Sequence, residues 1–139
     1  MTIKLCLRPQ LNTIRENNGI GRVVYAQHDH LPALGFEFVD DPAQADLCIG
    51  HTQQFDLPRV DVLHVHGLYW LGDLDSGTYT SWHVGANDAI IEAARKARVM
   101  TVPSAWVAMP FKRDMRLSPH VIGHGINFEA WQPDRKSVV

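Results

Sequence analysis

Short apolar runs recur along the chain, each followed by a turn rich in glycine or polar residues. "IKLCL" (3–7) has almost no polar alternation, which predicts a strand covered on both faces. After "NNGIGR", the stretch "IGRVVYAQHDHLPALG" puts Ile20, Val23, Val24, Leu31 and Leu34 at helical spacings. Pro32 bends or ends that helix and Gly35 sits where a C-terminal cap belongs. "FEFV" is a second short strand, and "DDPAQADLCIG" gives a turn and a third strand at 47–50. "VDVLHVHG" (60–67) is the most convincing strand, rich in β-branched residues and ended by Gly67.

The next stretch, "LYWLGDLDSGTYTSWHVG", has two open readings: a loop, or a loop with one strand at 79–83. "NDAIIEAARKAR" predicts a helix capped by Asn87, with Asp88 and Glu92 near its start and Arg95, Lys96 and Arg98 near its end, as the helix dipole prefers. "VMTVP" predicts a strand, "SAWVAMPFKRDM" a helix capped by Ser104 and kinked by Pro110, and "HVIGHG" the last strand.

Strand and helix alternating in this way call for an α/β fold. The expected architecture is a Rossmann-like parallel sheet of about six strands with helices on both faces. Ligands of such sheets bind outside the carboxyl ends of the strands, where strand order reverses. The positions to inspect are therefore residues 17–22, His51, residues 66–70, His83, Ser104 and residues 124–127.

Composition narrows the class. The 139 residues suffice for one ordinary domain, and 45% hydrophobic with 20% charged residues is globular rather than disordered. The net charge of −2 is spread along the chain, which points away from nucleic acid and gives no support to peripheral membrane contact. Cys6 and Cys48 lie inside apolar runs, so two buried thiols are expected rather than a disulfide, as suits a reducing compartment. The N-terminus is too quickly charged for a signal peptide and no run approaches a membrane span, so a cytoplasmic location is expected.

Several groups carry candidate chemistry. Gly19 and Gly21, followed by Arg22, let the backbone approach an anion at a helix N-terminus, although a plain tight turn explains the same glycines. The dinucleotide fingerprint is not met, because position 24 is Val. His64 and His66 alternate onto one face of a strand, a possible metal pair with His28, His30 or His51 as third ligand. No further ligand stands at a recognisable metal spacing, so the preferred reading is a buried, hydrogen-bonded His64, with His66 alone at the strand end and no metal. His66 and His83 are candidate catalytic groups, as neutral hydrogen-bonding imidazoles or as bases. Tyr69, Trp70 and Trp82 suit stacking on a sugar ring, and burial under a loop suits them equally. The run "KRDMR" (112–116) reads as a solvated helix end.

Taken in order and spacing, "GIGR", "DVLHVHG", "TVPSAWVAMPFKRDM" and "VIGHGINFEAWQP" resemble the N-terminal half of a GT-B glycosyltransferase, closest to the retaining group called family 4 or group 1. That family shows a Gly-Gly-x-x-Arg loop, an Asp-x-x-His-x-His strand end, a strand-to-helix step ending in Ser, and an Asn-Gly-containing exit to a second domain. These fall on residues 18–22, 61–66, 97–104 and 124–133. Asn18, His124 and Asn127 stand where the family usually has Gly, Asn and Asp.

The resemblance implies an acceptor-side domain at 1–126, with 127–139 as the hinge and start of a C-terminal donor domain. The enzyme would move a hexosyl group from a nucleotide sugar to an acceptor, with no cofactor besides that substrate and no metal. The acceptor stays unassigned. Gly19, Gly21 and Arg22 would face the donor phosphate. His83 and His66 would be the catalytic groups. Tyr69, Trp70, Trp82 and Asn127 would line the sugar and acceptor. The donor would be held by the C-terminal domain, so the chain is expected to be an inactive fragment by itself. Its exposed aromatics, Trp131 among them, make self-association an expected partner mode, with segment 68–77 mobile and the tail beyond Pro133 in solvent or on a neighbour. Two other readings remain open: a stand-alone Rossmann-like binding module without catalysis, and a metal-dependent hydrolase using His64 and His66.

Overall fold

A computed structural model describes residues 2–69 and 80–125. Six strands form one all-parallel sheet: β1 (Ile3–Arg8), β2 (Phe36–Phe38), β3 (Leu47–His51), β4 (Val62–His64), β5 (Val99–Val102) and β6 (His120–Val121). Their spatial order is β2-β1-β3-β4-β5-β6, every neighbouring pair parallel. The expected α/β sheet of about six strands is thus the architecture found.

Among the described residues three α-helices flank the sheet: α1 (Gly19–His30), α2 (Ser81–Lys96) and α3 (Ala105–Met115). The chain moves one way from β1 to β2 and the other way from β3 onward. Right-handed crossovers then put α1 on one face and α2 and α3 on the other. Side-chain contacts agree. Ile90, Ala93 and Ala94 of α2 and Val107, Ala108 and Phe111 of α3 are buried in one cluster with Cys6, Cys48, Leu63, Val65, Met100 and Val102. On the opposite face, α1 buries Val24 and reaches the sheet through Gln27. Both cysteines are free and buried, as expected.

Local chemistry sets the element ends. The Asn18 side chain accepts from the Gly21 N–H at 2.6 Å and caps α1, and Gly35 closes the following turn at φ +87°, a conformation that costs glycine little. The Ser104 hydroxyl accepts from the Val107 N–H and caps α3, which carries Pro110 in its interior.

Two expectations are corrected. Residues 81–83 belong to no strand; α2 begins at Ser81, after Thr80, six residues before the expected cap. Asn87 lies inside that helix, where its side chain accepts from the Tyr69 N–H (2.9 Å) and donates to the Tyr69 carbonyl (2.6 Å). It pairs with the Tyr69 backbone instead of capping a helix. The paired part of the fourth strand is also shorter than 60–67, although Val60 and Val65 are both buried. Trp70, Asn127, Trp131, most of segment 68–77 and the tail beyond Pro133 lie outside the described residues.

Candidate functional site

Strand order reverses between β1 and β3, so the carboxyl ends of β1, β3 and β4 are the place where this topology opens a crevice. A cavity of about 280 Å3 lies there, lined by Pro9 after β1, by His51 at the end of β3 and Thr52, Gln53 and Phe55 after it, by Ile20 of α1, and by Tyr69, Trp82, Ala86 and Ile90. Trp82 is 62% exposed, Phe55 48% and Tyr69 39%, so three aromatic rings are available to a ligand. Trp82 and Tyr69 meet edge to face at 5.2 Å.

Thr52 is unusual among these residues. It is β-branched yet sits at φ +71°, and its hydroxyl is buried without a hydrogen-bond partner among the described residues. Such a conformation is costly outside glycine, and a buried unpaired hydroxyl adds its own penalty. Both fall on the cavity wall. By contrast, Arg8 at the end of β1 is fully engaged: it pairs with Asp56 at 2.6 Å and donates to the carbonyls of Leu7 and Asp40. It ties the end of β1 to the loops after β2 and β3.

Beside the cavity stands a group of four histidines. The register places His51 opposite His64 and His64 opposite Thr101, one row on the face that α1 partly covers. His66 follows two residues after His64, and His124 returns from β6 over the end of β5. His64 Nε2 and His124 Nε2 are 2.8 Å apart, and His51 Nδ1 and His66 Nε2 are 3.0 Å apart. One ring nitrogen each from His64, His66 and His124 lie within 4.8 Å of one another.

The partners at the edge of the group assign the tautomers. Gln27 Oε1 accepts from His51 Nε2–H (2.8 Å), so His51 Nδ1 is the acceptor for His66 Nε2–H. The lone pair of His66 is then on Nδ1. The Thr101 hydroxyl donates to the Leu63 carbonyl and accepts from His64 Nδ1–H (2.7 Å), which leaves the lone pair of His64 on Nε2, facing His124. Burial pushes His51 down to about 3, helped by the neighbouring His66, His64 and His124. Burial, with the other rings, likewise holds His64 and His66 at about 4, and burial lowers His124. The imidazoles are therefore neutral at pH 7.

The predicted site residues divide. Tyr69 and Trp82 line the cavity. His66 belongs to the imidazole group and adjoins the cavity only through His51. His83 is the third residue of α2, where its Nδ1 accepts from the Thr80 N–H at 3.0 Å, and its ring packs against Tyr69 and Trp82. A role in starting the helix is thus visible for it. Gly21 is held tightly by the loop: a Cβ there would lie 1.9 Å from the Arg15 carbonyl oxygen, while Gly19 has open space around it. Arg22 is exposed on α1, and its N–H donates to the Asn18 carbonyl. Of the third ligands expected beside His64 and His66, His28 stacks on Phe38 and His30 is exposed, while His51 acts as the hydrogen-bond partner of His66. The third member is His124. Its position at a strand end, where the resembling family has Asn, was the signal available for it.

Comparison with known protein families, with curated proteins and with solved structures returns no match. Among the described residues, no helix is long and apolar enough to cross a membrane.

Proposed function

We propose that this domain is the acceptor-side half of a glycosyl-transferring enzyme, binding a carbohydrate in the cavity at the carboxyl ends of β1 and β3. The observation that carries this reading is the cavity's chemistry at the reversal of strand order: Phe55, Tyr69 and Trp82 exposed around it, with the unpaired Thr52 hydroxyl in its wall. Flat aromatic faces stack on the apolar faces of a sugar ring, and a hydroxyl without a partner is satisfied by a sugar hydroxyl. The order of motifs from Gly19 to Pro133, resembling glycosyltransferases of the GT-B kind, supports the same reading. In it, a nucleotide-sugar donor is held by a second Rossmann-like domain across the crevice.

Titration of the isotope-labelled chain with oligosaccharides, followed by NMR, tests the binding step. Shifts concentrated at Thr52, Phe55, Tyr69 and the Trp82 indole, and lost in Trp82→Ala, are the expected result. A folded chain whose cavity signals stay unmoved by every glycan class tried would remove the proposal.

A further inference from the structure

We propose that His64, His66 and His124 bind a divalent transition-metal ion of the zinc class at the carboxyl ends of β4 and β6. The inference does not rest on the carbohydrate reading, and it replaces the expectation of a metal-free site.

Three features of the group carry it. The first is ligand geometry: three imidazoles from two strand ends bring one nitrogen each within 4.8 Å. Around a tetrahedral ion with bonds of about 2.0–2.1 Å, neighbouring nitrogens stand about 3.3 Å apart. His64 and His124, now 2.8 Å apart, would open by about half an ångström around such an ion. His124 is exposed and follows the two-residue strand β6, so that adjustment meets no packed core.

The second feature is the support behind the ligands. A metal-bound imidazole usually donates its other N–H to a fixed acceptor, which sets its tautomer and aim. His64 has that acceptor in Thr101 Oγ1, and His66 has it in His51 Nδ1, itself fixed by Gln27. Among the described residues no donor is bonded to the His66 lone pair, and the His64 lone pair meets the single proton now between His64 and His124. Moving that proton from Nε2 to Nδ1 of His124 presents its Nε2 lone pair to the ion.

The third is ligand type. Among the described residues the group contains imidazoles and no carboxylate or thiolate, a set that suits zinc, copper, nickel or cobalt and disfavours magnesium and calcium. Three protein ligands leave a fourth position, and with His66 half-buried and His124 exposed that position opens to solvent. The ion would also tie the exit of β6 to β4 across β5.

The test uses the full chain, purified without a histidine tag, stripped with chelator and titrated with cobalt(II) and zinc(II). One cobalt per chain with the visible bands of a tetrahedral adduct, displaced by zinc, together with a higher Tm, is expected. His124→Ala, on the exposed loop and outside the core, should abolish the bands while leaving the metal-free Tm nearly unchanged. Thr101→Val should weaken affinity by about tenfold or more through the freed His64 ring. His30→Ala, away from the group, should bind like the parent. No uptake by the stripped chain, or equal uptake by parent and His124→Ala, overturns the proposal.

Discussion

His64 and His124 are 60 residues apart in sequence, yet their Nε2 atoms meet at 2.8 Å. The contact follows from sheet order. β4 and β6 flank β5, and Thr101 on β5 holds the far nitrogen of His64 so that its near nitrogen points over the strand end. Burial makes protonation of His51, His64 and His66 harder, and the neighbouring rings add to that.

The stability of the metal-free chain should therefore fall as pH drops below the ordinary imidazole value. His51, His64 and His66 take up protons near 6.5 when unfolded but only at about 3, about 4 and about 4 when folded. Their folded values are depressed, so the unfolded state binds more protons throughout that window and the fold loses stability as pH falls. With the half-exposed His66 discounted, we expect at least about 3 kcal/mol lost between pH 7 and roughly pH 4.5. Urea midpoints on chelator-treated protein measure this; a flat profile over that range contradicts the buried neutral cluster.

Asp61 is expected to be the most acid-sensitive carboxylate of the core. It is buried at the amino end of β4, away from the cavity, and accepts from the Cys48 N–H (2.9 Å) and from Arg59 Nε (2.9 Å), with Arg98 at 3.5 Å. Burial alone would raise its pKa, but the Cys48 N–H and the two guanidinium groups outweigh it and hold the carboxyl below its usual value. Its contribution is present above about pH 4 and disappears as pH falls through the depressed folded value. Asp61→Ala strands a buried N–H and should cost about 2–3 kcal/mol, Asp61→Asn about half that, because its amide oxygen still accepts from Cys48. Equal midpoints for the two variants would place the stabilisation in the ion pairs alone.

The strands β1, β3 and β5 were legible because unbroken apolar runs leave few alternatives for a segment covered on both sides. The start of α2 was not. "SWHV" carries no helical apolar stripe, and Asn87 has the chemistry of a cap although it spends that chemistry on the Tyr69 backbone. The regular part of β4 is only Val62–His64, although backbone hydrogen bonds to the neighbouring strands continue at Asp61 and Val65. The imidazole group was half legible. His64 and His66 share a segment, but the third ring arrives from β6 by strand order, which spacing along the chain does not encode.

Substitution of His83 acts on the fold whether or not the ring takes part in any chemistry. Its Nδ1 accepts from the Thr80 N–H at the start of α2, and that helix carries Trp82 at the cavity. His83→Ala should cost about 0.5–1 kcal/mol, in the range of lost helix caps. Gln at the same third position reaches back to the same N–H, so His83→Gln should keep stability while removing the imidazole. Thermal melts of the two variants check this. Equal destabilisation by Ala and Gln would show that the cap contributes nothing.

Gly19 and Gly21 separate a packing glycine from one that is free to serve a ligand. At Gly21 a Cβ would sit 1.9 Å from the Arg15 carbonyl oxygen and 3.0 Å from Asn18 Oδ1, the atom that caps α1. The first contact is with backbone, so the loop must move, and the cap that depends on its position is disturbed with it. Gly21→Ala should therefore cost at least about 2 kcal/mol regardless of any anion. At Gly19, the first residue of α1, nothing lies within 4 Å of the added carbon, and alanine there should leave stability unchanged or raise it by about 0.5 kcal/mol through helix propensity. If the loop also cradles a donor phosphate, Gly19→Ala is the variant that reports it: a folded, fully stable chain with weakened nucleotide-sugar turnover in an enzyme carrying both domains. Unchanged turnover in Gly19→Ala, together with the loss of stability in Gly21→Ala, would leave the two glycines as a turn and nothing more.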